Sequence, residues 1–328
     1  METGRKIMGF SEIRTDYQKG ITDKKAFCKL MFEEYKKLFQ FRDLLQESNA
    51  IEEIRINSRE VIASIRCADS TGKEYLIDMG IDSKDVSAIS VQILSTGQYE
   101  QEELEMVMRI VRYLSDKNGE GIVWDIGANL GWYTLNVCKQ YGNFECYAFE
   151  PVKETYLQLM RNVEINKLRN CKLYNIGFSD KNVREQFYYN TAASGASSLV
   201  NLLEDESTKI IQCNFERLDD FAARNNVPGM DFVKCDVEGA ELLVYQGGLE
   251  TIKKYKPIVF SEMLRKWSAK FNYHPNHIIE LFESLGYQCY VIQNKKLKEF
   301  GRVDEDTLET NYFFLHKEKH RELIKLLE

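Results

Sequence analysis

Residues 122–151 read IVWDIGANLGWYTLNVCKQYGNFECYAFEP, and this stretch decides the fold. The apolar run Ile122-Val123-Trp124 ends at Asp125, the chain turns through Gly127, Asn129 and Gly131, and the amphipathic segment Trp132 to Gln140 follows. A second apolar run, Phe144 to Phe149, stops at Glu150-Pro151. Strand, glycine turn, helix and strand within about 30 residues make one β-α-β unit. Glycines at 127 and 131 permit a sharp turn and let a ligand lie against peptide groups, at the carboxyl ends of the strands and over a helix N-terminus. An acid ending the second strand suits two vicinal ribose hydroxyls, because an ionised carboxylate only accepts hydrogen bonds. Glu150 is the ribose candidate.

Two nucleotide ligands fit such a unit, and the turn separates them. A dinucleotide site uses G-x-G-x-x-G, so that a doubly charged pyrophosphate meets free amides. Here the pattern is G-x-N-x-G with Asp125 just ahead of it. A carboxylate there repels a pyrophosphate and favours a cationic ligand end, such as the α-amino and sulfonium groups of S-adenosylmethionine. A nicotinamide-dependent (NAD) oxidoreductase on a similar sheet is the weaker reading. A non-catalytic protein that keeps the cofactor fold as an interaction platform is a third.

The 328 residues hold one large domain, or one domain with a smaller addition. A net charge of -7 gives no reason to expect nucleic acid or an anionic membrane as partner. The start METGRKIMGFSEIRTDYQKG lacks an apolar leader, and no run approaches the ~20 apolar residues of a membrane span. The eight cysteines are scattered without a C-x-x-C pair, so free thiols in a reducing cytoplasm are expected.

Upstream, Asp23 to Gln46 reads as an amphipathic helix capped by Asp23, with a stripe of Phe27, Leu30, Met31, Tyr35, Leu38, Phe41, Leu44 and Leu45 expected to pack on the rest of the protein. Short alternating runs, Glu53 to Asn57, Val61 to Arg66, Tyr75 to Met79 and Ala88 to Leu94, predict a small antiparallel sheet. Residues 1–98 therefore form an accessory α+β region, for contact with substrate or with a second copy. Residues 99–328 form the main domain, opening with a helix at Tyr99 to Ser115.

Downstream, Val152 to Asn166 reads as a helix, Cys171 to Ile176 as a third strand and Gly177 to Asp180 as a loop at the ligand edge, where Phe178 either frames an adenine or is simply buried. Val183 to Asn190 and Lys209 to Asn214 are extra strands flanking the small, polar run Thr191 to Ser198, a mobile lid or a solvated hairpin loop. A helix over Glu216 to Arg224 precedes the second informative stretch, Asp231 to Gly248, read DFVKCDVEGAELLVYQGG: a strand ending at Asp236, then a helix with Glu241 in its first turn. A fifth strand runs from Pro257 into Ser261-Glu262-Met263. A helix over His274 to Leu285, strands at Tyr287 to Gln293 and Asn311 to His316, and a charged terminal helix complete the chain. Such alternation predicts a mostly parallel, doubly wound sheet.

From about Glu100 to His316 the chain resembles the FkbM family of S-adenosylmethionine-dependent methyltransferases, through VWDIGANLGWYT, FEP, IGFSD, RLDDF, DFVKCDVEGAELLVYQGG and KPIVFSE, in that order. The resemblance implies a class I methyltransferase (Rossmann-like) α/β fold with a seven-stranded sheet, and O-methylation of a hydroxyl on a sugar, glycan or related natural product. It also implies cofactor roles for Asp125, Gly127, Asn129, Gly131, Glu150, Phe178 and Ser179, and with them Tyr133, Thr134, Pro151 and Asp236 of the same motifs. It leaves residues 1–98 uncovered.

Methyl transfer from a sulfonium is an in-line displacement, so most of the work is alignment of the acceptor oxygen. A hydroxyl is a poor nucleophile at neutral pH, and a general base is expected. Asp236 ends the strand beside the glycine turn and ranks first as base, followed by Glu238, His274 and Glu262. The acids at 236, 238 and 262 are also suited to gather a divalent cation with oxygen ligands. For Glu241 the stronger reading is a helix-start acid favoured by the macrodipole.

Overall fold

In the computed structural model, which describes residues 9–47, 49–69, 71–81, 89–96, 99–191, 197–202 and 208–328, the first half of the chain runs α1 (Phe10–Gln18), α2 (Lys24–Glu47), β1 (Ile51–Ile56), β2 (Val61–Ala68), β3 (Glu74–Gly80), α3 (Ile89–Thr96), α4 (Gln101–Asn118), β4 (Gly121–Ile126), α5 (Trp132–Gln140), β5 (Phe144–Phe149) and α6 (Lys153–Ile165). It continues through β6 (Cys171–Tyr174), β7 (Gly177–Phe178), β8 (Val183–Asn190), β9 (Thr208–Glu216), α7 (Leu218–Arg224), β10 (Phe232–Cys235), α8 (Glu241–Gly247), α9 (Leu249–Tyr255) and β11 (Ile258–Glu262). The last elements are α10 (Arg265–Lys270), α11 (Asn276–Ser284), β12 (Tyr287–Gln293), β13 (Lys296–Glu299), β14 (Asn311–His316) and α12 (Arg321–Leu327).

The main sheet has the order β13-β12-β14-β11-β10-β4-β5-β6. Strands β6, β5, β4, β10 and β11 are parallel, and β14 enters antiparallel between β11 and β12. The seven strands from β6 to β12 give the class I methyltransferase sheet that the resemblance implies. β13 adds an eighth at the edge, folded back from β12 through Asn294 and Lys295, both at positive φ (54° and 62°). That pair has the left-handed conformation a tight hairpin needs, a signal the sequence reading passed over.

Alternation along the parallel strands builds the core on both faces. Val123, Phe232, Ile258 and Phe260 point to one side, where α4, α5 and α12 pack; Trp124, Val233, Cys235 and Val259 point to the other, against α7, α8, α9 and α11. A separate three-stranded sheet, β7-β9-β8, stands beside the carboxyl edge. Gly177 and Phe178, expected in a loop, are the two residues of β7 that pair with β9.

The upstream strands β1, β2 and β3 form the expected antiparallel meander. The free edge of β3 does not face water: Asp78 N donates to Asn166 Oδ1 (3.0 Å), Asn166 Nδ2 donates to Asp78 O (2.7 Å), and Gly80 N donates to Asn162 Oδ1 (2.9 Å). Asn162 of α6 and Asn166, its C-cap one turn on, thus complete the edge with side-chain amides. Two expectations fail here. Of the run 88–94, read as a strand, residue 88 lies outside the described residues and the rest lies in helix α3, whose Ile89 and Ile93 are both buried one turn apart; so short an apolar run satisfies both periods, and packing decides. The stripe on α2 buries Met31, while Tyr35, Leu38 and Phe41 are about half exposed; among the described residues the main neighbours of α2 are α1 and β1. Its Asp23 cap forms, with Ala26 N donating to Asp23 Oδ1 (2.8 Å). Among the described residues no helix is long and apolar enough to cross a membrane.

Candidate active site

Where β4 leaves the sheet, the chain turns through Gly127 (φ 73°) and Asn129 (φ 48°) into Gly131 (φ 91°), the N-cap of α5. A Cβ on Gly127 would collide with the carbonyl oxygen of Asp236, and one on Gly131 would meet Leu159 Cδ1 at 2.5 Å. The first glycine therefore lets two strand exits touch, and the second seats α5 on α6. Together they open a cavity of about 360 Å³ at the carboxyl ends of β4, β5, β10 and β11, within the usual range for small-molecule sites.

Glu150, buried at the end of β5, forms one wall. Its Oε2 accepts from Asn129 N (3.0 Å) and its Oε1 from Val152 N (2.9 Å). Burial nevertheless pushes this carboxyl up to about 7. Pro151 and Phe178 continue the wall. Phe178 is only 1% exposed and belongs to an aromatic cluster with Trp124, Phe149 and Phe221. Phe187 of β8 and Phe215 of β9 close that side.

The opposite wall is charged. Lys234 and Asp236 project to the same face of β10, and Lys234 Nζ lies 3.1 Å from Asp236 Oδ2, 3.7 Å from Asp125 Oδ1 and 2.8 Å from Gly127 O, to which it donates. Burial pulls the Lys234 ammonium down, but the carboxylates of Asp236, Asp125 and Glu100 outweigh it and leave it raised. Asp236, Glu238 and Glu262 each bring an oxygen within 4.8 Å of the others. Burial, then Asp236, pushes the Glu238 carboxyl upward. Burial, then Asp236 and Glu238, carries Glu262 up to about 11. Glu100, the N-cap of α4, adds a further raised carboxyl, through burial and Asp236, and accepts from Tyr133 Oη (2.7 Å). Asp236 Oδ1 and Glu238 Oε2 are buried with no hydrogen-bond partner among the described residues.

Not every expected residue reaches the cavity. Asp125 is 1% exposed and sits behind Lys234, accepting from Thr134 N (3.1 Å) and Thr134 Oγ1 (2.6 Å); the two residues tie the strand to the first turn of α5. Gly131 acts through the same helix start. Ser179 is buried beneath the wall, its hydroxyl donating to Asp180 Oδ1 (3.1 Å). His274 is exposed, accepting on Nδ1 from Asn276 N (3.2 Å), and is not brought to the acids. Glu241 serves its own loop, accepting from Val237 N (3.0 Å), Gly239 N (3.1 Å) and Tyr273 Oη (3.1 Å). Of the run 191–198, residues 192–196 lie outside the described residues, and the lid expectation with them. Ser197 lines the cavity, and Ser198 Oγ donates to Glu238 O (2.8 Å).

Lys234, Glu100 and Trp132 are among the wall residues not expected from the sequence. A signal existed for Lys234, a lone charge inside the apolar run DFVKCD, two residues from Asp236 and so on the same strand face. Local sequence offers none for Glu100, which reaches the site through its left-handed turn (φ 42°).

The residues present fit S-adenosylmethionine. A glycine turn and an acid at the next strand end suit an adenosine, and two carboxylates, Asp125 and Asp236, against one lysine, with Asp236 Oδ1 unpaired among the described residues, suit a cationic sulfur compound.

Residues 125–289 match the family model of the methyltransferase FkbM domain. The chain is 25% identical over 145 residues to "Methyltransferase 1" of Beauveria bassiana, an alignment covering 39% of this chain and 58% of that protein. It is 23% identical over 231 residues to the AMB antimetabolite synthetase AmbE of Pseudomonas aeruginosa, covering 58% of this chain and 10% of that one. Among solved structures, methyltransferase FkbM from Methylobacillus flagellatus KT aligns at 16% identity over 70% of this chain and 56% of that chain, with a TM-score of 0.38. The chain thus spans under two thirds of the length of these relatives.

Proposed function

The chain belongs to the FkbM methyltransferase family, and on that premise we propose that its cavity carries out S-adenosylmethionine-dependent O-methylation of a hydroxyl on a sugar, glycan or related natural product. The observation that carries the reading is a single cavity with Glu150 and the 127–129 turn on one wall and the Lys234–Asp236 pair beside Glu238 and Glu262 on the other.

The bound cofactor supplies an electrophilic methyl group on a positively charged sulfur. Glu150 would accept hydrogen bonds from the ribose hydroxyls, and the Asp236 carboxylate would stabilise the sulfur's charge. Asp236 Oδ1 receives the acceptor's proton, while Lys234 fixes the other oxygen and so orients the carboxylate. Glu262 and Glu238, held neutral by burial and by Asp236, donate hydrogen bonds to the acceptor without competing for its proton. Phe178, Phe187 and Phe215 supply the apolar part of the cavity wall.

Asp236, Glu238 and Glu262 also offer oxygen ligands to a divalent cation. Lys234 already supplies a counter-charge at Asp236, and the proposed chemistry needs no metal.

Thermal unfolding with ligands tests the reading, since only a compound that binds the folded state raises Tm by mass action. S-adenosylhomocysteine is expected to raise it and NAD to leave it unmoved; the reverse pattern would favour the oxidoreductase reading.

A further inference from the structure

Next to the methyl-transfer cavity lies a second hollow of about 690 Å³, bounded by β2, the turn after it and α4. Tyr99 and Trp132 line both spaces. Their rings meet edge to face, with centroids 6.2 Å apart at 87°, and Ile65, Leu104 and Met108 extend the apolar lining. The backbone of Trp132 is keyed to the upstream sheet: Asn136 Nδ2 donates to Trp132 O (2.7 Å), and Tyr75 Oη donates to Asn136 Oδ1 (2.8 Å).

Two features indicate what the hollow takes. Trp132 is 5% exposed, yet its Nε1–H has no partner among the described residues, and a buried donor without an acceptor is costly. Trp124 Nε1 also lacks one, but it is sealed in the core and borders neither cavity. The charged groups lining the rim are of both signs, Arg66 and Arg109 against Asp69, Glu74 and Glu105, and most are already engaged. Arg66 pairs with Glu52, Glu105 lies 3.3 Å from Lys295 Nζ, Arg109 Nη1 donates to Lys295 O (2.6 Å), and Asp69 Oδ1 accepts from Thr71 N (2.8 Å) and Lys73 N (3.0 Å). Aromatic faces, a spare donor and charges of both signs in near balance suit an uncharged, hydroxylated ring rather than an ion.

We propose that this hollow holds the body of the acceptor, a neutral hydroxylated ring of the sugar class, with one ring substituent oxygen accepting from Trp132 Nε1 and the reactive hydroxyl passing Tyr99 into the methyl-transfer cavity. The assignment rests on the methyltransferase reading above. It gives the upstream sheet a task, forming the acceptor site.

Indole N–H resonances test this on the full chain, which has three tryptophans; Trp132→Phe identifies the Trp132 signal. With S-adenosylhomocysteine saturating, a panel of neutral methyl glycosides (gluco, manno, galacto, rhamno) is titrated against galacturonate and glucosamine. At least one neutral glycoside is expected to move the Trp132 signal while Trp124 stays still. Ala68→Phe, at an exposed position of the hollow's lining, is expected to weaken that glycoside about tenfold or more, or ~1.4 kcal/mol, without changing S-adenosylhomocysteine affinity. Leu104→Phe is the alternative should that variant unfold. No response to any neutral glycoside, a response only to the charged sugars, or unchanged glycoside affinity in the filled variants would overturn the assignment. Failure of S-adenosylhomocysteine to bind would instead overturn the methyltransferase reading.

Discussion

Replacing Lys234 with methionine tests the electrostatic design of the site. Lys234 is 5% exposed, and its ammonium contacts Asp236 at 3.1 Å, Asp125 at 3.7 Å and the Gly127 carbonyl at 2.8 Å. Methionine fills a similar volume but leaves two carboxylates without their cation. Breaking a buried ion pair from one side costs about 3–5 kcal/mol, because the remaining charge stays desolvated. An unfolding entropy of about 2.1 cal/mol/K per residue over 328 residues is ~0.7 kcal/mol/K, so calorimetry should show Tm lower by about 4–7 °C. The lysine is raised in the folded protein, so its contribution is complete below the unfolded value of ~10.4 and is lost as pH rises through the folded one; a measurement at neutral pH sees it in full. Adding Asp236→Asn to Lys234→Met should restore part of the loss by removing one stranded charge. A Tm within about 1 °C of the parent, or an additive double variant, would show that the three groups are not coupled as described.

Glu150 carries a pH signature. Its folded value is raised to about 7, so in the free protein its ionisation costs stability as pH rises through that value, whereas the ionised form is the better ribose acceptor. Calorimetric titration should show S-adenosylhomocysteine binding tighten from pH 6 to pH 8, and Glu150→Gln should lose both that slope and about 1.5–3 kcal/mol of affinity, roughly 10- to 150-fold. Asp236→Asn should lower kcat by about 10²- to 10⁴-fold on any hydroxyl acceptor that supports turnover, with cofactor affinity little changed; equal kcat would assign the proton to another group. Asn166→Ala should destabilise the protein by about 1–3 kcal/mol by stranding the Asp78 amide and carbonyl, and should speed amide exchange at Asp78, which unchanged exchange would contradict. Dialysis against a chelator should leave methyl transfer intact; loss restored by Mg²⁺ or Mn²⁺ would place a cation on the acid trio.

The parallel strands β4, β5, β10 and β11 were legible because each is a mainly apolar run that ends at or near an acid, and alternation along Val123-Trp124 or Phe232-Val233 needs no tertiary information. Glu150 and Asp236 were legible for a related reason: an acid that ends a buried strand has nowhere to go but the carboxyl edge. The acid cluster emerged as a set because Asp236 and Glu262 terminate neighbouring strands. His274 misled, being close in sequence to site elements but held on the surface by its own turn. Residues 88–94 misled because an eight-residue helix and a strand share the same apolar spacing. Asn162 and Asn166 gave no sign of their role, since an edge strand 82 to 88 residues away leaves no trace in local pattern. Glu100 enters the site by tertiary packing alone.

The most direct measurement is a crystal structure with S-adenosylhomocysteine bound. The expected result is density in the cavity, with the ribose hydroxyls on Glu150 and the sulfur facing the Asp236 side. An empty cavity at saturating ligand, or a ligand seated away from Glu150 and the 127–129 turn, would contradict the central claim.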